Sequence, residues 1–535
     1  MQQAISSPVI ESGASGKERL TEAVTVAAVL TVTAAVYALL FNRSNVLSHS
    51  VGYNLYASER VLEGAVPYRD FHTLYPPATF WLNAALFKWL GVSLHSALVG
   101  VLIFKVLTVG VIYSGGRQIM PRAWALAAAL SSLLWLRPNG PFKSVPMQYG
   151  LLVLTLAMLF LLKHENRRKP VYVFLCGASL GLVALFKHNI GAYALAGSLV
   201  LLFLEWRGDA RQTSVCRADS RSILQRLIDK LKFVGPLNYR RAFILLLGFA
   251  SVLLPAMVYM LLNGAQGAMI RTLLFGPGEF LLSRLAIPLS PVAPVALVMA
   301  VVLIAYAAHK SGGGSARSVG LWLSLIAAIT LFAIRGREAD INQIILYMPM
   351  IVLCGGALIC VLTRTVSVAE RRASLMLFVF SAAALMELFP RFAREQSIAA
   401  MPLMMLFLIY LLYLFRPALR FIAGGSLEYR LALAVLPLTL VLIEGRLFIN
   451  TYFDGLRFKA AAEVDIERGR GVYFPAATAA MIDNAVGYIQ QRVPASGDAF
   501  AQSDAGTSLL FLSNRRNASN AQFWIGVGVT QQERS

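Results

Sequence analysis

Between Tyr53 and Pro77 the chain gathers the side chains best suited to chemistry: Tyr53, Glu59, Arg60, Glu63, Tyr68, Arg69, Asp70, His72 and Tyr75. Carboxylates can carry protons, and guanidinium and imidazole groups can hold an anion. The segment directly follows a long apolar run, and ionisable groups pressed against a bilayer persist only where they are used. The segment is therefore read as the active site of a membrane enzyme.

The elements around it are membrane-forming. Hydrophobic residues make up 57% of the chain and charged residues 14%, against about 25% charged in a soluble domain. A helix crosses the hydrocarbon core with about 20 apolar residues. Thirteen runs approach that length, near 21–41, 95–114, 123–137, 146–162, 171–186, 190–206, 242–262, 291–308, 319–334, 344–362, 373–389, 398–415 and 431–449. The net charge of +21 is distributed in the short gaps between runs. That is the positive-inside pattern and not a nucleic-acid-binding arm. Lys163, Arg167, Arg168 and Lys169 fill one such gap, and Arg364, Arg371 and Arg372 another.

The expected architecture is an all-α polytopic integral membrane protein. Residues 1–20 form a cytoplasmic tail, 21–449 the transmembrane domain, and 450–535 a small extracytoplasmic α/β domain. The first run has no cleavage site behind a short apolar core and reads as a retained helix. Residues 42–94 make the first external loop, with surface helices at Ala57–Leu62 and Ala78–Leu90 separated by Pro67 and Pro76-Pro77. Residues 207–241 form a basic cytoplasmic loop, with an amphipathic helix around Ser222 to Phe233 lying on anionic headgroups or serving only to set topology. In the tail, Ala476–Arg492 has the spacing of an amphipathic helix and Ser508–Leu512 reads as a short strand. Cys176, Cys216, Cys354 and Cys360 have no metal-ligand spacing, and no metal site is expected.

Arg335, Arg337, Arg391 and Arg394 fall in external gaps, against the positive-inside rule. Guanidinium groups retained there suit a phosphate or pyrophosphate, although Glu338, Asp340 and Glu395 are at hand to neutralise them as plain ion pairs. Lys187-His188 is either a snorkelling anchor or part of the same phosphate site. Bland alternatives stand beside the loop residues too. Asp70 with Arg69 makes a local ion pair or turn cap, Glu59 with Arg60 a solvated helix face, and His72 a packing residue.

From Gly52 through Tyr-Asn-Leu-Tyr-Ala to Gly64, and on through Val66-Pro67-Tyr68-Arg69-Asp70-Phe71, the chain resembles the first external loop of bacterial family 39-type GT-C membrane glycosyltransferases. That superfamily includes protein O-mannosyltransferases and the lipid A aminoarabinose transferase. Pro76-Pro77, Phe80-Trp81, Phe87 to Gly91, Leu185 to Gly191, Pro390-Arg391 and Leu509 to Arg516 continue the pattern over nearly the whole chain. The resemblance implies inverting transfer of a sugar from a polyprenyl-phosphate donor to a glycan, glycolipid or protein acceptor at the outer face of a bacterial plasma membrane, in envelope assembly. It implies no bound cofactor. A loop carboxylate would be the base, Asp70 first and Glu59 or Glu63 behind it. Tyr53, Tyr68, Arg69, His72, Lys187, His188, Arg335, Arg337, Arg391 and Arg394 would bind the substrates. Two departures from the pattern bear on these roles. An Asp-Glu pair that commonly precedes the equivalent of Gly52 is replaced by Ser50 and Val51, and an Asp and a His of the later motif by Ala393 and Gln396. The alternatives are a flippase for lipid-linked sugars and a non-catalytic scaffold that binds them.

Overall fold

A computed structural model describes residues 15–43, 49–136, 145–203, 239–275, 367–388, 394–423, 461–499 and 506–518. The described part is mostly helical. In chain order the helices are α1 (Gly16–Ala38), α2 (His49–Leu62), α3 (Ala78–Leu90), α4 (Leu94–Gly116), α5 (Arg122–Leu136), α6 (Val145–Arg167), α7 (Pro170–Phe186), α8 (His188–Phe203), α9 (Tyr239–Leu262), α10 (Gln266–Ile270), α11 (Val368–Leu385), α12 (Arg394–Ala423), α13 (Ala476–Arg492) and α14 (Gly506–Ser513). Of these, α1, α4, α6 and α9 are long and apolar enough to cross a membrane. The runs near 291–308, 319–334, 344–362 and 431–449, and the helix around Ser222, lie outside the described residues, so the count of thirteen is not reached here.

Backbone polar groups must be satisfied internally where water is excluded, which is why each apolar run closes as a helix. Helices α4, α6 and α7 form the centre, with α1 and α5 on α4, α9 on α7, and α11 and α12 completing the bundle. The α7–α9 contact is close. A Cβ at Gly177 would strike the Leu245 carbonyl, and one at Gly248 the Phe174 carbonyl, so these helices meet backbone to backbone. Small residues permit that approach where lipid supplies no hydrophobic drive between helices.

The chain sorts its charges to two rims. At one, Glu22 of α1 accepts from Tyr113 (2.9 Å) and pairs with Arg117 (3.1 Å) and Arg122 (3.4 Å), while Glu165 pairs with Arg168 and Arg372 (both 3.1 Å). All of these but Glu22 fall in gaps, or at their edges, that the charge alternation assigns to one side, and Glu22 opens the first run. The other rim carries α2, α3, the 65–77 turn, Lys187 and the tail.

In the tail, β1 (Ala461–Glu463) pairs antiparallel with β2 (Tyr473–Pro475), and β3 (Asp498–Ala499) parallel with β4 (Arg516–Asn517). Two expectations need correction. Ser508–Leu512 is not a strand but part of α14, because a short run buried on every side has no periodicity to separate strand from helix. Helix α2 begins at His49, eight residues before the expected start at Ala57.

Gly177→Val should force α7 off α9 and lower the thermal unfolding midpoint in detergent, by an overpacking penalty of about 1–3 kcal/mol or more. An unchanged midpoint would mean that the two helices do not meet at Gly177.

Candidate active site

The site is built on the turn that follows α2. Gly64, at φ +96°, ends the helix, and Ala65 N–H returns to the Arg60 carbonyl at 2.9 Å. The next six residues fold tightly. Asp70 Oδ2 accepts from Val66 N–H at 2.7 Å, and Tyr68 N–H donates to the Phe71 carbonyl at 2.9 Å. Arg69 donates from Nε and a terminal nitrogen to the two Asp70 oxygens, both at 2.8 Å. The Arg69 guanidinium and the Val66 amide hold the Asp70 carboxyl below its ordinary range, against partial burial that pushes the other way. Asp70 is thus both turn cap and ion-pair member, with 31% of its side chain exposed.

Tyr68 sits at φ +69°, a left-handed conformation uncommon for a large side chain. It is held by burial and by its hydroxyl donating to the Tyr75 carbonyl at 2.7 Å. Tyr53, Phe71 and Phe80 pack edge-on beneath the turn, with ring centroids 5.9–6.2 Å apart. The Tyr53 hydroxyl accepts from Leu74 N–H at 3.3 Å. Burial raises the Tyr53, Tyr68 and Tyr75 phenols, so all three stay protonated. His72 is half-buried at the start of the same stretch.

Lys187 arrives from elsewhere in the chain. Helix α7 ends at Phe186, Lys187 is extended (φ −152°, ψ 99°), and α8 starts at His188. The break directs the ammonium to Glu387 Oε2 at 2.5 Å and over the Tyr75 ring at 5.9 Å. Glu387 is completely buried, in a 3₁₀ turn (Met386–Leu388) that closes α11. His188 reaches the backbone of Leu273. Tyr75 therefore joins two groups of charge, through its carbonyl to the Asp70 turn and through its ring to Lys187. In this structure a buried carboxylate pairs with Lys187.

Glu59 is placed differently from the expectation of a solvated face. It is buried, with Arg468 donating to Oε1 at 2.5 Å and Oε2 at 2.9 Å. Arg468 also donates to the Phe511 carbonyl (2.8 Å) and Asn514 Oδ1 (2.7 Å) and lies over the Phe511 ring. The tail is thereby fastened onto α2. Tyr56 accepts from Asn517 N–H at 2.7 Å, Phe511 stacks on Phe87, and a Cβ on Gly52 would strike the backbone of Ser508.

The structure thus brings together Tyr53, Tyr68, Arg69, Asp70, Lys187 and His188 in one region and holds Glu59 against the tail. Arg394 opens α12, and Arg335, Arg337 and Arg391 lie outside the described residues. Sequence reasoning missed Glu387 and Arg468. The first was visible as a lone carboxylate inside an apolar run, Leu385-Met386-Glu387-Leu388-Phe389. Among the described residues no group of three or more His, Cys, Asp or Glu could hold a metal ion.

The family model for dolichyl-phosphate-mannose-protein mannosyltransferase matches residues 75–216. That stretch begins at Tyr75 and includes Lys187 and His188, and over it the resemblance to GT-C membrane glycosyltransferases stands. No curated protein matches the chain. Among solved structures, the chain is similar to the Archaeoglobus fulgidus oligosaccharyltransferase tethered with an acceptor peptide containing the NVT sequon. Identity is 13%, TM-score 0.47, and the match covers 93% of this chain and 64% of that one. The chain therefore spans less than two thirds of that protein's length. It is also similar to ArnT from Cupriavidus metallidurans bound to undecaprenyl phosphate, at 14% identity and TM-score 0.38, covering 92% of this chain and 85% of that one.

Two outcomes test this geometry. Arg468→Met would leave the Glu59 carboxylate buried without a counter-charge, a loss of about 3–5 kcal/mol. Limited proteolysis should then release the tail far faster than from the wild-type chain. The second concerns pH. Because the folded Asp70 has a lowered pKa, its stabilisation is fully present above the unfolded carboxyl value and fades as pH falls through the folded one. Hydrogen exchange at the Val66 amide should stay well below its intrinsic rate above about pH 4 and accelerate relative to that rate below it. In Asp70→Asn that extra acceleration should disappear.

Proposed function

We propose that the protein is a membrane glycosyltransferase that moves a sugar from a polyprenyl-phosphate donor to a cell-envelope glycan, glycolipid or protein acceptor. The observation that carries this reading is that the Arg69–Asp70 turn, through the Tyr68 hydroxyl, and the Lys187–Glu387 pair both contact Tyr75, at one rim of a bundle of apolar helices and at the start of the mannosyltransferase-like stretch. A lipid-borne headgroup would present its phosphate at that depth. An ammonium and guanidinium groups there match phosphate oxygens. Asp70, charged and partly exposed, would be the base that takes the proton of the acceptor hydroxyl, with inversion at the anomeric carbon. Glu59 is a weaker candidate for that role, because Arg468 occupies both its oxygens. Arg335, Arg337, Arg391 and Arg394 would supply further phosphate contacts, and Tyr53, Tyr68 and His72 would shape the sugar site. The proposed setting is a bacterial inner membrane with the site and tail on the outer side, and with no cofactor beyond the donor. Whether a divalent cation assists is a matter for the same assay with and without a chelator.

One observation favours a second reading, a scaffold that binds lipid-linked sugars without turnover. The positions ahead of Gly52 hold Ser50 and Val51, Val51 is buried, and α14 covers Gly52.

Sugar transfer in proteoliposomes containing a polyprenyl-phosphate sugar separates the two. Wild-type turnover is expected, with Asp70→Asn slower by about 10²–10⁴-fold, the usual contribution of a general base. Lys187→Met should chiefly raise KM for the donor. Binding of the donor without any turnover would leave the scaffold, and full activity of Asp70→Asn would remove Asp70 as base.

A further inference from the structure

Two features of the Lys187–Glu387 pair set it apart from a simple fastening between helices. The first is its asymmetry of exposure. Glu387 is completely enclosed, whereas 14% of the Lys187 side chain remains accessible. A group arriving from outside meets the ammonium first and finds the carboxylate behind it. The second is its attachment. Lys187 lies in an extended break between two helices and Glu387 in a single 3₁₀ turn at the end of α11. Both residues thus sit at helix ends and not within a continuous helix. An ammonium has three donors, and the described contacts of Lys187 are one carboxylate oxygen and one ring face.

Electrostatics gives the pair a direction. Buried and paired, the two charges cancel, so the resting site exerts little pull on anions in general. Removing the carboxylate would leave the ammonium without its counter-charge in a water-poor place. A phosphate able to supply more than one oxygen, and carried in by favourable burial of its lipid chain, can replace the carboxylate. A weakly held free anion is opposed by it.

We propose that Glu387 is an internal counter-ion which the phosphate of the incoming lipid donor displaces from Lys187. This rests on the reading of the chain as a lipid-phosphate glycosyltransferase. Glu387 is then a positioning residue: it holds the ammonium in place over Tyr75 when the site is empty and competes with the phosphate for it. The recognised chemistry is a phosphate ester, and attachment to a lipid distinguishes the substrate from inorganic phosphate.

The test measures binding to the full chain in detergent micelles. The probes are a polyprenyl phosphate, the polyprenol of the same length and inorganic phosphate. The wild-type protein should prefer the polyprenyl phosphate to the polyprenol and bind inorganic phosphate poorly. Glu387→Gln removes the competitor while keeping size and shape, and should tighten polyprenyl-phosphate binding by about tenfold, with no change for the polyprenol. Lys187→Met should abolish the preference for phosphate. Glu387→Asp, in which the shorter acid reaches the ammonium less well, should fall between wild type and Glu387→Gln and serves if the latter does not fold. Weaker binding in Glu387→Gln, or in Glu387→Asp if it alone folds, would show that the carboxylate merely supports Lys187 and would overturn the proposal. So would unchanged binding. Failure of the wild-type chain to prefer the phosphate would instead overturn the functional reading beneath it.

Discussion

Lys187 and Glu387 neutralise each other at a point where water has little access, and that requirement shapes the surrounding structure. An ammonium that ends one apolar helix must find a partner, because an isolated charge in such surroundings is far less stable than a paired one. The partner lies 200 residues along the chain, and its approach draws α11 against α8 and the Tyr75 side of the loop. The close contact of α7 with α9 serves the same end. By fixing α7 through Gly177 and Gly248, it fixes the height at which Lys187 emerges. Packing deep in the bundle thus sets the position of a charge at its rim.

The first loop is made rigid by a different device. Six residues close a turn on Asp70, aromatic rings fill the space beneath it, and Tyr68 adopts a left-handed backbone that its burial and hydroxyl bond sustain. The tail then clamps the helix leading into that turn through Arg468 on Glu59 and Tyr56 on the Asn517 amide. A loop of this length is ordinarily a place of motion. Here, cross-links to α2 and the α9–α10 turn leave Arg69 and Asp70 among its more accessible parts.

What could be read from the sequence follows from the range of the interactions involved. Helices α3 and α13 lie where local pattern placed them, Ala78–Leu90 and Ala476–Arg492, because proline breaks and apolar spacing are local signals. Glu22, Arg117 and Arg122 meet at one rim while Lys187 and the loop share the other, a grouping that the spacing of the apolar runs makes possible. Helix α14 was not, for its eight residues are buried nearly throughout and a run without a solvent face shows no period. The pairing of Glu59 with Arg468 spans 409 residues, and no local pattern encodes a contact of that separation. Glu59 consequently read as one more charge on a helix surface.

These placements bear on where chemistry can happen along α2. Relatives of the pattern carry acids just ahead of the residue equivalent to Gly52. In this chain that end of the helix has Val51 buried and Gly52 pressed against Ser508, so an acid introduced at position 51 would be buried. The far end is the opposite case. There the chain turns sharply, a carboxylate stays charged and partly exposed at Asp70, and a second charged pair approaches through Tyr75. On the proposed function, sugar transfer is centred past the C-terminal end of α2, and the tail packs against its beginning.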